Sequence, residues 1–202
     1  MKPRGILFDW GGVFTVGTFD GRVVRNVAEH FGLDEERVAR AYFAQVRNLE
    51  VGAWSLDAFW RYFARELGVE APYETFERLF VGSIAPRQEM YEVLAALPED
   101  VVVGLLSNNY PVISDVLRTH EGFDRFDAVF FSNEEGLKKP DARAFEVALE
   151  RMGLPAGEVL FVDDHPDNIA AAEDLGLMTH RFEATEPFVR ELERRGLRLN
   201  RP

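Results

Sequence analysis

Residues 5–15 read GILFDWGGVFT, an apolar run that ends on Asp9 and continues into two glycines. An apolar run without polar alternation is typical of a strand that is buried on both faces of a parallel sheet. Open α/β sheets bind ligands beyond the carboxyl ends of such strands, so Asp9 is a candidate nucleophile, and Gly11 and Gly12 allow the backbone to approach a ligand closely. An isolated aspartate at this point is more typical of a turn cap, and the interpretation therefore depends on the rest of the chain.

Four further β-rich runs alternate with helical patterns. The predicted strands cover residues 4–8, 101–106, 128–131, 159–162 and 177–182, and the helical patterns that follow the later strands cover residues 112–119, 142–151, 168–175 and 188–195. Such alternation predicts an α/β fold in which helices cover both faces of a parallel sheet. We therefore expect a Rossmann-like, doubly wound core.

The segment between the first two predicted strands has a different pattern. It contains no convincing strand, and apolar residues recur at helical spacing over residues 22–31, 35–46, 56–67 and 74–80. Asp34 and Ser55 precede two of these helices as candidate N-caps. The pattern predicts a small α-helical domain at residues 16–85, inserted into a core that is formed by residues 1–15 and 86–202.

The composition limits the possible functions. Of 202 residues, 47% are hydrophobic and 29% are charged, which is typical of a folded globular protein. A net charge of −12 argues against general nucleic-acid binding, and the lack of cysteine excludes disulfides and thiol chemistry. The longest apolar run, residues 101–106, is too short to span a bilayer, and the amino terminus has no signal-peptide pattern. We expect a cytoplasmic monomer or homodimer that binds neither nucleic acid nor membrane.

Three other segments carry polar residues at or near strand ends. The run VVVGLLSNN leads to Ser107 and Asn108, whose hydroxyl, amide and backbone groups suit phosphate oxygens. Lys139 precedes a proline, which fixes the direction of the backbone. Asp163 and Asp164 end the run VLFVDD, and adjacent acids at a buried strand end repel each other unless a cation offsets them. Mg²⁺ is the expected cation, because it takes oxygen ligands and combines one or two carboxylates with a substrate phosphate.

Taken together and in this order, Asp9, Ser107, Lys139 and the acid pair resemble the four motifs of the haloacid dehalogenase superfamily. The resemblance covers most of the chain, and the helical insertion is similar to the α-helical C1 cap of that superfamily. The segments LLSNN, GLKKPDARAF and FVDDHPDNIAAAEDLG are most similar to the bacterial sugar-phosphatase group that includes α-glucose-1-phosphate phosphatases. The resemblance implies an Mg²⁺-dependent phosphatase of small phosphorylated metabolites, with sugar phosphates as the expected class.

The resemblance also implies a role for each residue around the metal. Asp9 is the implied nucleophile, which forms an aspartyl-phosphate and binds Mg²⁺ through its other oxygen. Gly11, through its backbone carbonyl, and Asp164 are the other implied metal ligands. Asp163 is implied to support the metal shell from beside it.

The residues implied to hold the phosphoryl group are Ser107, Asn108 and Lys139. Ser107 and the Asn108 backbone bind the phosphoryl oxygens in this scheme, and Lys139 neutralises charge on the nucleophile and on the transferring group. Most phosphatases of the superfamily carry a second aspartate, a general acid and base, where this chain has Gly11. Because such help is worth about 10²–10⁴-fold, we expect slow turnover and a preference for good leaving groups such as an anomeric phosphate.

Two alternatives stay open. A metal-independent 2-haloacid dehalogenase uses the same aspartate on carbon and also lacks an aspartate at the Gly11 position, although the acid pair would repel its carboxylate substrate. A non-catalytic member that binds a phosphorylated ligand is the other. His165 is a candidate proton donor, although a helix-start role suits it better. Glu50 and Trp54 are candidates for substrate selection, whereas Trp10 is more typical of a residue in the core or against the cap.

Overall fold

The centre of the molecule is a parallel sheet, seen in a computed structural model that describes residues 1–200. In chain order its strands are β1 (Gly5–Phe8), β2 (Val102–Ser107), β3 (Ala128–Phe131), β4 (Val159–Asp163) and β5 (Met178–Arg181). Each end lies within one residue of the predicted one. The spatial order β3-β2-β1-β4-β5 places β1 at the centre, with all strands parallel: β2 and β3 follow on one side of it, and β4 and β5 on the other.

The insertion between β1 and β2 is helical, as predicted. Its helices are α1 (Phe19–Phe31), α2 (Glu35–Phe43), α3 (Arg47–Glu50), α4 (Leu56–Leu67) and α5 (Tyr73–Val81). The Asp34 side chain accepts a hydrogen bond from the Arg37 amide at 2.9 Å and that of Ser55 accepts one from the Ala58 amide at 3.1 Å, so both predicted N-caps are confirmed. The predicted helix over residues 35–46 ends at Phe43, and the turn that follows leads into the short helix α3.

Helices cover both faces of the sheet. They are α6 (Gln88–Ala96), α7 (Pro111–Arg118), α8 (Ser132–Glu135), α9 (Ala142–Met152), α10 (Pro166–Asp174) and α11 (Thr185–Arg194). Successive side chains of a strand point to opposite faces. Accordingly, Leu7 packs in one hydrophobic cluster with Phe145 of α9, and Phe8 packs in another with Phe188 of α11. The doubly wound α/β fold is therefore confirmed; α6 and α8 lie outside the predicted set of helices.

The chain leaves the sheet for the insertion and returns from it at one place. Thr15 and Pro86 form an antiparallel bridge there, and the Val16 amide donates to the Ala85 carbonyl at 2.8 Å. The division into a core of residues 1–15 and 86–202 and a cap of residues 16–85 stays a prediction. Within residues 1–200, no helix combines the length and the apolar character that crossing a membrane requires.

Candidate active site

Asp9 lies at the carboxyl edge of the sheet, directly after the central strand. Its amide donates to the Val162 carbonyl at 2.8 Å, and the residue is 8% exposed. Because β2 and β4 run parallel to β1 on either side, Ser107 and Asp163 end at the same edge. Three sequence segments that are far apart along the chain therefore meet at the point where open α/β sheets bind ligands.

A cluster of three carboxylates forms at this edge. Asp9, Asp163 and Asp164 each offer an oxygen, and these oxygens all lie within 4.8 Å of one another. Hard oxygen donors at this spacing suit a divalent cation such as Mg²⁺. Without such a cation, three acids with one lysine at a buried strand end carry uncompensated charge, which is costly. The donor set therefore fits the metal that the sequence predicts.

Gly12 lies against the Asp164 side chain. A Cβ atom on Gly12 would be 2.1 Å from Asp164 Oδ2, and the Gly12 φ of +70° belongs to the left-handed region that favours glycine. Gly11 has no such constraint, since the one atom near a Cβ there would be Asp9 Oδ2 at 3.8 Å. The close approach of Asp164 thus explains why position 12 is a glycine, whereas Gly11 has open space beside Asp9.

Lys139 is the cation that joins the acids. Its side chain is 1% exposed, and Nζ lies 2.7 Å from Asp9 Oδ1 and 2.6 Å from Asp163 Oδ2. The Asn108 side chain holds the Lys139 backbone at both polar groups: Nδ2 donates to the Lys139 carbonyl at 3.0 Å, and Oδ1 accepts from the Lys139 amide at 2.9 Å. The Asn108 side chain therefore holds the Lys139 backbone in place, and the predicted phosphate contact of Asn108 is assigned to its backbone.

Burial and nearby charges shift the pKa of Asp9, Asp164 and Lys139. Burial raises the pKa of Asp9 to about 7; Lys139 opposes this rise, whereas the Asp163 and Asp164 carboxylates add to it. Burial and the Asp163 charge raise the pKa of Asp164. Burial lowers the pKa of Lys139, but the Asp163 and Asp9 carboxylates together raise it above its ordinary value. Lys139 is therefore a charged ammonium group, and the acids carry more negative charge than it neutralises.

Asp163 and Asp164 have different surroundings. Asp163 is fully buried, and its oxygens accept from Lys139 Nζ, from Asn168 Nδ2 at 3.0 Å and from the His165 amide at 2.7 Å. Asp164 is partly exposed. Because protein donors already surround Asp163, it suits a supporting role, and Asp164 has the freer carboxylate. Asn168, in the first turn of α10, is a contact that sequence reasoning misses; its signal is an amide five residues after the first acid.

Ser107 is fully buried at the last position of β2. Its hydroxyl lies 3.5 Å from the Asn108 carbonyl, and no hydrogen bond joins it to the acid cluster among the residues that the structure describes. The sheet places this hydroxyl at the same edge as Asp9, since Ser107 lies two residues after Leu105, the strand position that pairs with Phe8.

His165 and Trp10, which the sequence also singles out, make contacts that stabilise the fold. His165 is the N-cap of α10, where its Nδ1 accepts from the Asp167 amide at 3.3 Å, so the helix-start interpretation is confirmed. Trp10 is 4% exposed, donates to the Tyr91 hydroxyl at 3.2 Å and packs on Phe19 of the insertion. Across residues 1–200, no histidine belongs to a cluster that could hold a metal ion.

Polar contacts join the insertion to the sheet beside the acid cluster. Glu50 of α3 forms an ion pair with Lys138, the residue before Lys139. Asp20 of α1 accepts from the hydroxyl of Tyr110, which follows β2, at 2.5 Å. Trp54, by contrast, is partly buried and packs on Tyr62 inside the insertion. The insertion thus touches two of the segments that carry site residues.

The chain belongs to the haloacid dehalogenase-like hydrolase family, whose model matches residues 3–176. The match extends over the helical insertion and over strands β1 to β4 of the sheet. It agrees with the resemblance that the four motifs carry, and it makes this protein a hydrolase by family.

Curated relatives include both phosphatases and dehalogenases. The chain is 27% identical to a phosphatase of Mycobacterium tuberculosis (strain CDC 1551 / Oshkosh) over 192 residues, 89% of this chain and 87% of that protein. It is 28% identical to an (S)-2-haloacid dehalogenase of Pseudomonas sp. (strain YL) over 123 residues, 59% of this chain and 53% of that one. It is 25% identical to Acyl-CoA dehydrogenase family member 10 of Mus musculus over 205 residues, which are 94% of this chain but only 19% of the mouse protein.

Solved structures share the fold along nearly the whole chain. A HAD family enzyme of Bacteroides thetaiotaomicron, in complex with magnesium and inorganic phosphate, superposes with a TM-score of 0.75 at 23% identity. The similarity covers 90% of this chain and 95% of that one. At this level of identity the likeness is one of fold.

Proposed function

We propose that this protein is an Mg²⁺-dependent phosphatase of small phosphorylated metabolites, with Asp9 as the nucleophile. The observation that carries the proposal is the position of Lys139 Nζ, within 2.7 Å of Asp9 and 2.6 Å of Asp163. A buried ammonium beside a nucleophilic carboxylate stabilises the negative charge of a transferring phosphoryl group. The phosphatase among its relatives and the magnesium and phosphate in a structural neighbour support the same class of reaction.

Asp9, Asp164 and the Gly11 carbonyl would hold Mg²⁺, and Asp163 would support them. The ion would supply positive charge that draws the phosphoryl oxygens and the nucleophile together. Asp163 has the surroundings of a supporting residue, because Lys139, Asn168 and a backbone amide already occupy its oxygens.

The reaction proceeds in two displacements at phosphorus. A carboxylate oxygen of Asp9 attacks phosphorus, and the bond between phosphorus and the ester oxygen breaks, so that the leaving alcohol departs as an alkoxide and takes a proton from water. Water then attacks phosphorus of the aspartyl-phosphate, which releases inorganic phosphate and restores Asp9. Ser107 and the Asn108 backbone bind the phosphoryl oxygens during both steps, and Lys139 neutralises their charge.

The substrate class that we propose is sugar phosphates. Gly11 supplies no proton to the leaving group, and a good leaving group such as an anomeric oxygen needs less protonation than an alkyl alcohol. The helical insertion acts as the cap that closes over the substrate, and Glu50 and Trp54 contribute to selection. The ion pair between Glu50 and Lys138 supports this role, because it brings the insertion next to Lys139.

The dehalogenase alternative has two observations in its favour: position 11 carries no acid, and a dehalogenase is among the relatives. The three carboxylates argue against it, because they would repel the carboxylate of a 2-haloacid. A non-catalytic, phosphate-binding member is the remaining possibility.

A panel of phosphorylated metabolites and 2-haloacids tests the three functions together. We expect phosphate release that requires Mg²⁺, stops with chelator and is lost in Asp9→Asn. Asp167→Asn is the matched control, because the Asp167 side chain is 76% exposed and lies outside the acid cluster. Halide release that is insensitive to chelator would overturn the proposal in favour of a dehalogenase. Binding of a sugar phosphate without any turnover would overturn it in favour of the binding protein.

A further inference from the structure

Arg87 lies where the chain returns from the helical insertion, directly before α6. Its backbone amide donates to the Phe14 carbonyl at 2.8 Å. Its guanidinium group donates to three more carbonyls: Nε to Val13 at 3.1 Å, and Nη2 to Gly12 at 3.3 Å and Thr15 at 3.2 Å. One residue thus binds four consecutive carbonyl groups of the segment that follows the nucleophile.

These contacts require the shape of a guanidinium group. The fork of an arginine presents several N–H donors in one plane, whereas a lysine ammonium is a compact charge on a flexible stem. Arg87 has no carboxylate partner within ion-pair distance among residues 1–200, so its charge strengthens the hydrogen bonds to carbonyl oxygens instead. The segment 12–15 is otherwise closed by its own short-range contacts, such as the Gly12 amide on Thr15 Oγ1 at 2.9 Å.

The segment that Arg87 holds follows Asp9 in the chain and lies against the Asp164 side chain. Gly12 lies two residues before Phe14 and three after Asp9, and its Cα carries no side chain because the Asp164 carboxylate fills that space. A shift of the Gly12 backbone therefore changes where Asp164 can lie relative to Asp9.

A second connection runs through Phe182. The Arg87 guanidinium lies over the Phe182 ring, 5.3 Å from its centroid. The Phe182 amide in turn donates to the Asp163 carbonyl at 2.8 Å. Arg87 therefore contacts the segment after Asp9 on one side and a residue bonded to the backbone of Asp163 on the other.

We propose that Arg87 is a positioning residue for the phosphoryl-transfer site: it fixes the segment 12–15 and thereby the placement of Asp9 relative to Asp164. The inference rests on the proposed function, since it assumes that these two carboxylates share a metal and a phosphoryl group. Arg87 touches neither carboxylate, and it acts through the backbone. Small displacements of a catalytic group are costly, with about 10²-fold in rate for a misplacement near 1 Å.

The test compares Arg87→Lys and Arg87→Gln with Arg22→Lys. Arg22 is the matched control, because its Nε donates to a single carbonyl one position further along, that of Val16, at 3.0 Å. We expect both Arg87 variants to lose about 10²-fold in kcat, with KM for the best phosphoester changed by less than about threefold, and Mg²⁺ to bind more weakly by calorimetry. Amides of residues 12–15 should exchange with deuterium faster in both variants, and Arg22→Lys should match the wild type in every readout.

The outcomes separate this inference from the proposed function. If the wild type hydrolyses phosphoesters and Arg87→Gln keeps its kcat and its Mg²⁺ affinity, the positioning role is wrong and the phosphatase stands. If Arg87→Lys keeps the wild-type kcat while Arg87→Gln loses it, a positive charge is sufficient, and the requirement for the guanidinium fork is wrong. If the wild type hydrolyses nothing, the proposed function fails. Mg²⁺ affinity and amide exchange in the variants still decide whether Arg87 fixes the placement of Asp9 relative to Asp164.

Discussion

Lys139 Nζ and Asp9 Oδ1 lie 2.7 Å apart, with the lysine side chain 1% exposed and that of the aspartate 12% exposed. In such a pair each charge depends on the other, because neither is solvated by bulk water. The same ammonium contacts Asp163 at 2.6 Å, so Lys139 joins the end of β1 to the end of β4.

Loss of this ammonium should destabilise the fold as well as the reaction. In chelator, Lys139→Met should lower the free energy of unfolding by about 3–5 kcal/mol, because Asp9 and Asp163 would remain buried without a cation. Lys138→Met is the control, since its partly exposed ion pair with Glu50 is worth about 1 kcal/mol or less. Urea denaturation of both variants measures the difference, and equal losses would contradict the account.

The two glycines after Asp9 should respond differently to alanine. Gly12→Ala should cost about 1–3 kcal/mol and weaken Mg²⁺ binding, because its Cβ would collide with Asp164 in a left-handed backbone conformation. Gly11→Ala should stay within about 0.5 kcal/mol of the wild type. Denaturation and calorimetry on the two variants test this order, and the reverse order would show that Asp164 does not lie where the structure has it.

Position 11 has room for the acid that most phosphatases of the superfamily carry. A side chain there meets only Asp9 Oδ2, at 3.8 Å from Cβ, so Gly11→Asp should fold. A proton donor at this position should raise kcat for alkyl phosphates about tenfold or more, because a poor leaving group needs protonation. The kcat for aryl phosphates, which have good leaving groups, should change little. Gly11→Asn controls for size. An equal effect of both variants would mean that proton donation is not what position 11 lacks.

Asp20 should make the stability of the protein depend on pH. Burial raises its pKa above the ordinary value of 3.8, although hydrogen bonds from Tyr110 and Tyr42 oppose the rise. A carboxyl whose pKa is higher in the folded than in the unfolded protein favours the folded state while it is protonated. This contribution is complete at pH values below the unfolded-state pKa, and it is lost as the pH rises through the folded-state pKa. The unfolding free energy of the wild type should therefore fall relative to that of Asp20→Asn from about pH 4 upward. A difference that grows in the opposite direction would show that the tyrosines outweigh burial.

The sequence predicts the sheet and its acid edge well, because both depend on short patterns. Apolar runs that end on Asp9, Ser107 and Asp163 specify buried strands and the direction in which they end. Parallel pairing then brings those ends together without any further information.

Other parts of the site depend on contacts that no local pattern encodes. The four carbonyls that Arg87 binds belong to residues more than seventy positions earlier, and an arginine before a helix has no signal that points to them. Asn108 illustrates the same limit, because its side chain binds the Lys139 backbone rather than remaining free for a ligand. The ion pair of Glu50 in α3 with Lys138 is likewise a long-range contact that no local pattern encodes.

The most direct test of the account is to stop the enzyme with acid during turnover of its best phosphoester and to locate phosphate by mass spectrometry of peptic peptides. The account predicts one phosphoryl group on the peptide that contains Asp9, present in the wild type with Mg²⁺ and absent in Asp9→Asn. Steady release of phosphate with no phosphorylated peptide, or with the phosphoryl group on another residue, would contradict it.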